Sequence, residues 1–288
     1  MSESSTSLLE DNNESGDLYG FSDCDFLIIK RLIHENTGIY LDHTKRFLVQ
    51  TRLSRRLKQL GLSTFREYRL LLQSGIPDEL EHLANAITTN TTSFFRHDNQ
   101  FLFLAQFFRE RQRSKNMKPI RIWSAGCSSG EEPYTIAWVA HTSLNKENFN
   151  KVDILATDLD SEILKVAQRG VYPMESVSKL PTTKTGQAFL RGSGANAGFV
   201  KIKPEISSAV TFNKLNLVQE WNMEGPFDVI FCRNVCIYFH KDTQRALMER
   251  LADMQEEGGY LFLGQSESLF ATCNLYKSVE NAIYRKIY

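Results

Sequence analysis

Through the first hundred residues the hydrophobic positions recur three and four apart, and past Pro119 they gather instead into short unbroken runs separated by helical stretches. In the first regime a helix is predicted from Ser22, a suitable N-cap, with the apolar set Phe26, Ile29 and Ile33, stopping at Gly38. A second runs from about Thr44 to just before Gly61, and others cover about Thr64 to Gln73, Pro77 to Thr88 and Asn99 to Arg113. Residues 21–115 therefore read as an all-helical domain. The phenylalanines at 94, 95, 101, 103, 107 and 108 keep the same spacing, which suits a helix packed on a core better than an aromatic cofactor box or a membrane segment.

In the second regime IRIWSAG, VDILATDLD, VTFNKLNL, FDVIFC and GGYLFLG read as buried strands, and EEPYTIAWVAHTSL, SEILKVAQRG and DTQRALMERLADMQEE as helices between them. This alternation predicts an α/β fold, a Rossmann-like parallel sheet wound with helices over 116–288, with its ligand site outside the carboxyl ends of the strands. Between about 172 and 210 the alternation lapses into RGSGANAGFVKIKPE, read as an inserted β-hairpin or small β-subdomain.

Residues 1–20 carry five acids, no Lys or Arg and many Ser and Asn, and are expected to form a flexible tail. They lack a charged-then-apolar leader, and no run of apolar residues suits a bilayer, so a cytoplasmic location is expected. Over 288 residues Lys plus Arg and Asp plus Glu are 34 each, so the molecule as a whole exerts no strong field and partners must be sought in local patches. One such patch spans Lys30 to Leu72, with ten Lys or Arg against three acids. In the helix from Thr44, Val49, Leu53, Leu57 and Leu60 form a stripe with Lys45, Arg52, Arg55 and Arg56 beside it. That face suits a glutamate-rich surface, and also RNA or plain solvent. Five scattered cysteines argue against a disulfide framework; Cys232 and Cys236 can share a helix face, but no further ligand pair completes a metal site, and none is expected.

The loop Gly126-Cys127-Ser128-Ser129-Gly130 lets backbone approach a ligand at a helix start, but Glu131 and Glu132 follow it. Two carboxylates would repel a dinucleotide's phosphates and suit the sulfonium and ammonium of S-adenosylmethionine. Asp158, 28 residues after Gly130, stands where an acid can accept from both ribose hydroxyls, the alternative being a solvated acid at a strand end beside Asp160. Asn216, Arg233 and Asn234 also end strands and can line the pocket, although Asn216 can equally close a turn.

Together TTNTTSFFR (88–96), WSAGCSSGEEPY (123–134), ATDLD (156–160), FDVIFCRNVCIYF (227–239) and GGYLFLGQSE (258–267) resemble the bacterial chemotaxis receptor glutamate O-methyltransferases, the CheR family, in order and from about residue 20 to 288. The resemblance implies a helical domain preceding a Rossmann-like methyltransferase domain with a β insertion. It also implies S-adenosyl-L-methionine as cofactor, S-adenosyl-L-homocysteine as product, and contacts to it from Asn90, Thr92, Arg96, Glu132, Asp158, Asn216, Leu217, Arg233 and Asn234. The implied partners are methyl-accepting chemotaxis receptors, through cytoplasmic helices and a C-terminal tail peptide docked on the insertion around Gly192, Gly194 and Gly198; no nucleic acid, no membrane except through receptors, and a monomer are expected. Cys236 stands where the family usually has another apolar residue, and Gln265 where it commonly has His.

A glutamate is already ionised at neutral pH, so methyl transfer to it needs alignment more than acid-base help. Arg96 offers a fork for one carboxylate oxygen and Tyr238 a hydroxyl near Arg233 and Asn234, and the resemblance makes both catalytic. The rival readings are that Arg96 only binds cofactor or pairs with an acid, and that Tyr238 is a core aromatic. For the whole chain, the rivals are a methyltransferase of RNA or small molecules and a cofactor-binding scaffold without transfer.

Overall fold

A computed structural model of the chain describes residues 19–268 and 274–287, so most of the expected tail lies outside the described residues. Two compact units emerge, one of the residues through His34 with Leu41–Ile87, the other of Glu35–Tyr40 with the residues from Thr88 on. The helical unit holds α1 (Asp23–Thr37, whose last turn belongs to the other unit), α2 (Arg46–Leu60), α3 (Phe65–Gln73) and α4 (Pro77–Ile87). Local chemistry sets their ends. Ser22 exchanges hydrogen bonds with Asp25, and Thr64 and Glu67 form a reciprocal capping box. Gly61, at φ +69°, closes α2 by donating to the Leu57 and Lys58 carbonyls. Val49, Leu53 and Leu57 are fully buried, as the stripe on α2 requires.

The basic residues beside that stripe divide into two kinds. Arg56 grips Glu79, itself 4% exposed, through both carboxylate oxygens at 3.0 and 2.6 Å, and Arg52 donates to the Ile87 carbonyl. Burial pushes the Glu79 carboxyl up, but the hydrogen bonds and charge of Arg56 outweigh it and hold the group below the usual range. Lys45 and Arg55, by contrast, are exposed.

The helical unit ends at Ile87, not near 115. Helix α5 (Asp98–Gln112) belongs to the sheet unit, where Phe101, Leu104 and Phe108 join the core of β1 (Ile120–Ala125) and α6 (Glu131–Ser143). Spacing of three and four shows that a helix face is covered and is silent about what covers it. After α6 come α7 (Lys146–Phe149), β2 (Val152–Asp158) and α8 (Ser161–Arg169). The inserted region holds β3 (Val171–Pro173), α9 (Thr182–Ala188), β4 (Phe189–Arg191) and β5 (Phe199–Ile202). It is a three-stranded antiparallel sheet in the order β3-β5-β4, one strand more than a hairpin.

Then follow α10 (Pro204–Ser207), β6 (Val210–Lys214), β7 (Phe227–Cys232), α11 (Lys241–Asp253), β8 (Gln255–Leu263), β9 (Tyr276–Glu280) and β10 (Ile283–Lys286). The main sheet runs β6-β2-β1-β7-β8-β10-β9, parallel through β8 and antiparallel at β10 and β9. Both faces are covered, which is why its central strands read as unbroken apolar runs: Ile122, Ile154 and Phe231 pack with α5 and α6, while their neighbours Trp123, Ile230 and Cys232 pack with Leu247 and Leu251 of α11. The helix expected to run through Glu257 stops at Asp253, because Gln255 pairs with Phe227 and opens β8, whose register then shifts before Tyr260. No helix among the described residues is long and apolar enough to cross a membrane.

Candidate functional site

The order β6-β2-β1-β7 sets the loops beyond Lys214, Asp158, Ala125 and Cys232 side by side along one edge. Gly126 turns at φ +82°, and a Cβ there would collide with the Val235 side chain; Gly130, at φ +95°, would bring a Cβ to 3.0 Å from Ala167 Cβ and Tyr172 Oη. Only glycine meets both demands at once. Between them Ser128 N donates to Asp158 Oδ2 at 2.7 Å, while Asp158 Oδ1 accepts from Asp160 N at 3.0 Å. These bonds orient the half-buried Asp158 carboxylate and leave lone pairs on both oxygens. Desolvation raises its pKa against the pull of those backbone donors.

Residues 88–97 form a strap across this edge. At one end Thr88 Oγ1 (3.1 Å) and Asn90 Nδ2 (2.7 Å) donate to Asp160 Oδ2 beyond β2, and the Asn90 carbonyl accepts from Ser128 Oγ at 3.0 Å. At the other end Phe95 N reaches Thr135 Oγ1 on α6 and the Arg96 carbonyl accepts from the Arg233 guanidinium beyond β7. Phe95 and His97 hold φ of +56° and +65°, a rare conformation for such side chains that the anchors on either side enforce. The half-buried Arg96 side chain donates to the Thr91 carbonyl at 3.0 Å, and among the described residues it pairs with no acid. Thr92 lies half-buried between the anchors. Burial and the positive charges of Arg233 and Arg96 push the His97 pKa down.

Beneath the strap Glu132 takes a hydrogen bond from Ser124 Oγ at 2.8 Å and pairs with Arg233 at 3.2 Å. Burial raises the Glu132 pKa and lowers that of Arg233, each opposed by the other's charge. Arg233 is 6% exposed, sits 5.5 Å from the Phe101 ring centroid and keeps a buried Nε without a partner among the described residues. Asn234, at φ +60°, donates its N–H to Glu267. Tyr238, in a 3-10 turn at Cys236–Tyr238, is half-buried, so it is no core aromatic, and its hydroxyl has no partner among the described residues.

Hydrogen bonds thus join Asn90 to Asp158 through Ser128 and Asp160, and Arg96, Arg233 and Glu132 in a second array, the two being connected by the backbone of the strap. Asn216 and Leu217 stand apart from both. Asn216 closes its turn onto Val218 N and gives its amide to the Asn36 carbonyl at 2.6 Å; Leu217 is packed in the α11 core and its carbonyl accepts from Arg250. Cys232 and Cys236 share no helix, since one ends β7 and the other opens the 3-10 turn, yet their sulfurs lie 3.9 Å apart as buried free thiols. Two organising acids escaped the sequence reading. Asp160 also caps α8 through Glu162 N and Ile163 N, a role its place before an apolar helical run signals, and Glu267 was visible only as the end of the GQSE motif.

An acid at the end of β2, a glycine turn between β1 and α6, and a parallel sheet with an antiparallel tail after a helical unit define an S-adenosylmethionine-dependent methyltransferase. Residues 90–285 match the CheR methyltransferase SAM-binding domain and residues 25–88 the CheR methyltransferase all-alpha domain, so the chain belongs to the CheR methyltransferase family. It is 41% identical over 261 residues to Chemotaxis protein methyltransferase 2 of Pseudomonas aeruginosa, covering 90% of this chain and 92% of that one. It is 40% identical over 250 residues to the chemotaxis protein methyltransferase of Klebsiella aerogenes, covering 86% and 84%. Its match to the Escherichia coli chemotaxis protein methyltransferase is 39% over 249 residues, covering 86% and 85%.

Proposed function

We propose that the chain methylates glutamate side chains of chemotaxis receptors in the cytoplasm, forming methyl esters and S-adenosyl-L-homocysteine. The observation that carries the reading is the strap, which anchors on Asp160 beyond β2 and on Arg233 beyond β7 and so carries Arg96 beside the Glu132–Arg233 pair. The residues present fit the cofactor. The glycine cradle has no room for a Cβ, Asp158 has unused lone pairs beside it, and Arg233 keeps a buried Nε free for a carboxylate. In this reading Asp158 takes the ribose hydroxyls, Glu132 the ammonium and Arg233 the carboxylate, with Asn90, Thr92 and Asn234 closing the pocket. Asn216 and Leu217 act as its shaped wall, because the Asn216 side chain is already committed.

When bound, S-adenosylmethionine supplies a methyl group made electrophilic by its sulfonium. The receptor carboxylate needs no base, so the chain's task is to align it. Arg96 holds one oxygen and leaves the other to attack, and the unpartnered Tyr238 hydroxyl orients the same group. Receptor helices dock against the exposed Lys45, at the N-cap of α2, and Arg55 within that helix, while Arg52 and Arg56 serve the helical unit itself. The β3-β5-β4 sheet, whose outer strands are β3 and β4, offers an edge to a receptor tail peptide. The enzyme works as a monomer.

The test is incubation with cofactor tritiated on its methyl group and receptor-containing membranes, followed by mild base. Label released as methanol from the receptor band is the expected result. Base-stable label, label in RNA, or none in the presence of bound cofactor would overturn the assignment.

A further inference from the structure

Glu267, in the loop after β8, is 8% exposed, and among the described residues its hydrogen bonds come from three backbone N–H groups. Oε2 accepts from Gly264 N at 2.7 Å and Asn234 N at 2.8 Å, and Oε1 from Ile237 N at 3.2 Å. The carboxylate therefore staples the loop after β8 to Asn234, in the segment joining β7 to the 3-10 turn, and to Ile237 within that turn. That segment needs holding, because Asn234 is in the left-handed region. The fit is close: a Cβ on Gly264 would lie 2.7 Å from Glu267 Oε2 and within 3.0 Å of Asn234 N. Further along, Gln244 Nε2 secures the Cys236 and Phe239 carbonyls, but among the described residues no other side chain holds the N–H groups of Asn234 and Ile237.

We infer that Glu267 is a positioning residue for methyl transfer, fixing the backbone from Asn234 to Ile237 so that the hydroxyl of Tyr238, one residue on, points at the acceptor. The inference rests on the reading of Tyr238 given above. A carboxylate suits the task because it has acceptors only, and three donors converge on it. In Glu267→Gln the amide NH2 must face a donor, and it forfeits least on the Ile237 arm, which carries one long bond in place of two short ones. The arm toward Asn234 then survives, and the arm toward Tyr238 is lost.

The experiment is a double-mutant cycle of Glu267→Gln and Tyr238→Phe, with kcat measured on receptor-containing membranes and S-adenosylhomocysteine affinity by calorimetry. Glu267→Gln should lower kcat roughly tenfold with cofactor-product affinity kept within about threefold, and should add less than about twofold in the Tyr238→Phe background. Should circular dichroism show Glu267→Gln unfolded, Glu267→Asp, which withdraws the carboxylate by one methylene, enters the same cycle under the same criterion. An equal factor with and without the Tyr238 hydroxyl, or an equal loss of affinity, overturns the inference while leaving Tyr238 its role. If Tyr238→Phe alone keeps full kcat, the Tyr238 reading fails, and the inference fails with it.

Discussion

Asp158 and Asp160 stand two residues apart in one motif, and the structure divides their work so sharply that their removal should give opposite signatures. Asp160 is 4% exposed and accepts from Thr88 Oγ1, Asn90 Nδ2, Glu162 N and Ile163 N. In Asp160→Ala the lost cap on α8 costs about 1 kcal/mol. The two bonds from the strap are to a charged acceptor, worth roughly 1.5 to 3 kcal/mol each, reduced where water reaches the part-buried Thr88 and Asn90. A net loss of about 4 kcal/mol follows, or on the order of 8 to 16 °C in the melting of a unit of this size. Asp158→Ala removes a half-buried acceptor of two loop N–H groups, so its melting should shift by less than about half as much. Its loss should appear instead as a fall of roughly tenfold or more in affinity for S-adenosylhomocysteine.

Scanning calorimetry reads the melting of the sheet unit, titration calorimetry the affinity, and amide exchange the strap. In Asp160→Ala the amides of residues 88–92 should exchange faster while those of β1 keep their protection relative to global stability. A folded Asp160→Ala protein melting within about 3 °C of wild type, with strap exchange unchanged, would refute the view that this carboxylate clamps the strap.

Gly126→Ala combines a φ of +82° with a collision against Val235, a cost of about 3 kcal/mol in urea unfolding; adding Val235→Ala should restore part of it, and no recovery would show the collision irrelevant. Burial holds the Glu131 carboxyl above its ordinary value, so the folded state keeps a proton that the unfolded chain has released. Stability should therefore fall as pH rises from the ordinary glutamate range through the raised value, and Glu131→Gln should flatten the slope in urea titrations; an unchanged slope would contradict the assignment. Lys45→Glu with Arg55→Glu should raise the KM for receptor, weaken its salt dependence and spare cofactor affinity. Arg56→Glu should instead lower the melting temperature of the helical unit, because Glu79 loses its partner; a KM effect without destabilisation would reverse that division.

What the sequence disclosed, and what it withheld, follows from the range of each interaction. Helix starts and stops are decided within four residues, so Ser22, Thr64 and Gly61 are legible on the page, as are the strands whose two buried faces leave no polar position. The glycine turn and Asp158 were legible for the same reason, since each sits next to the strand end that explains it. The strap's anchors join residues 70 to 137 apart, Thr88 and Asn90 to Asp160, Arg96 to Arg233, and no periodicity encodes a pairing of that kind. The family resemblance places Asn90 at the cofactor, and no spacing in the sequence shows that its amide also holds the Asp160 carboxylate. The basic run in the helical unit shows the same limit. Ten cations can be counted from Lys30 to Leu72, but that Arg56 belongs to Glu79 and Arg52 to the Ile87 carbonyl depends on α2 meeting α4, which only the fold decides. A charge count thus bounds what a surface can attract, and the pairs closed inside the unit set how much of that charge reaches a partner.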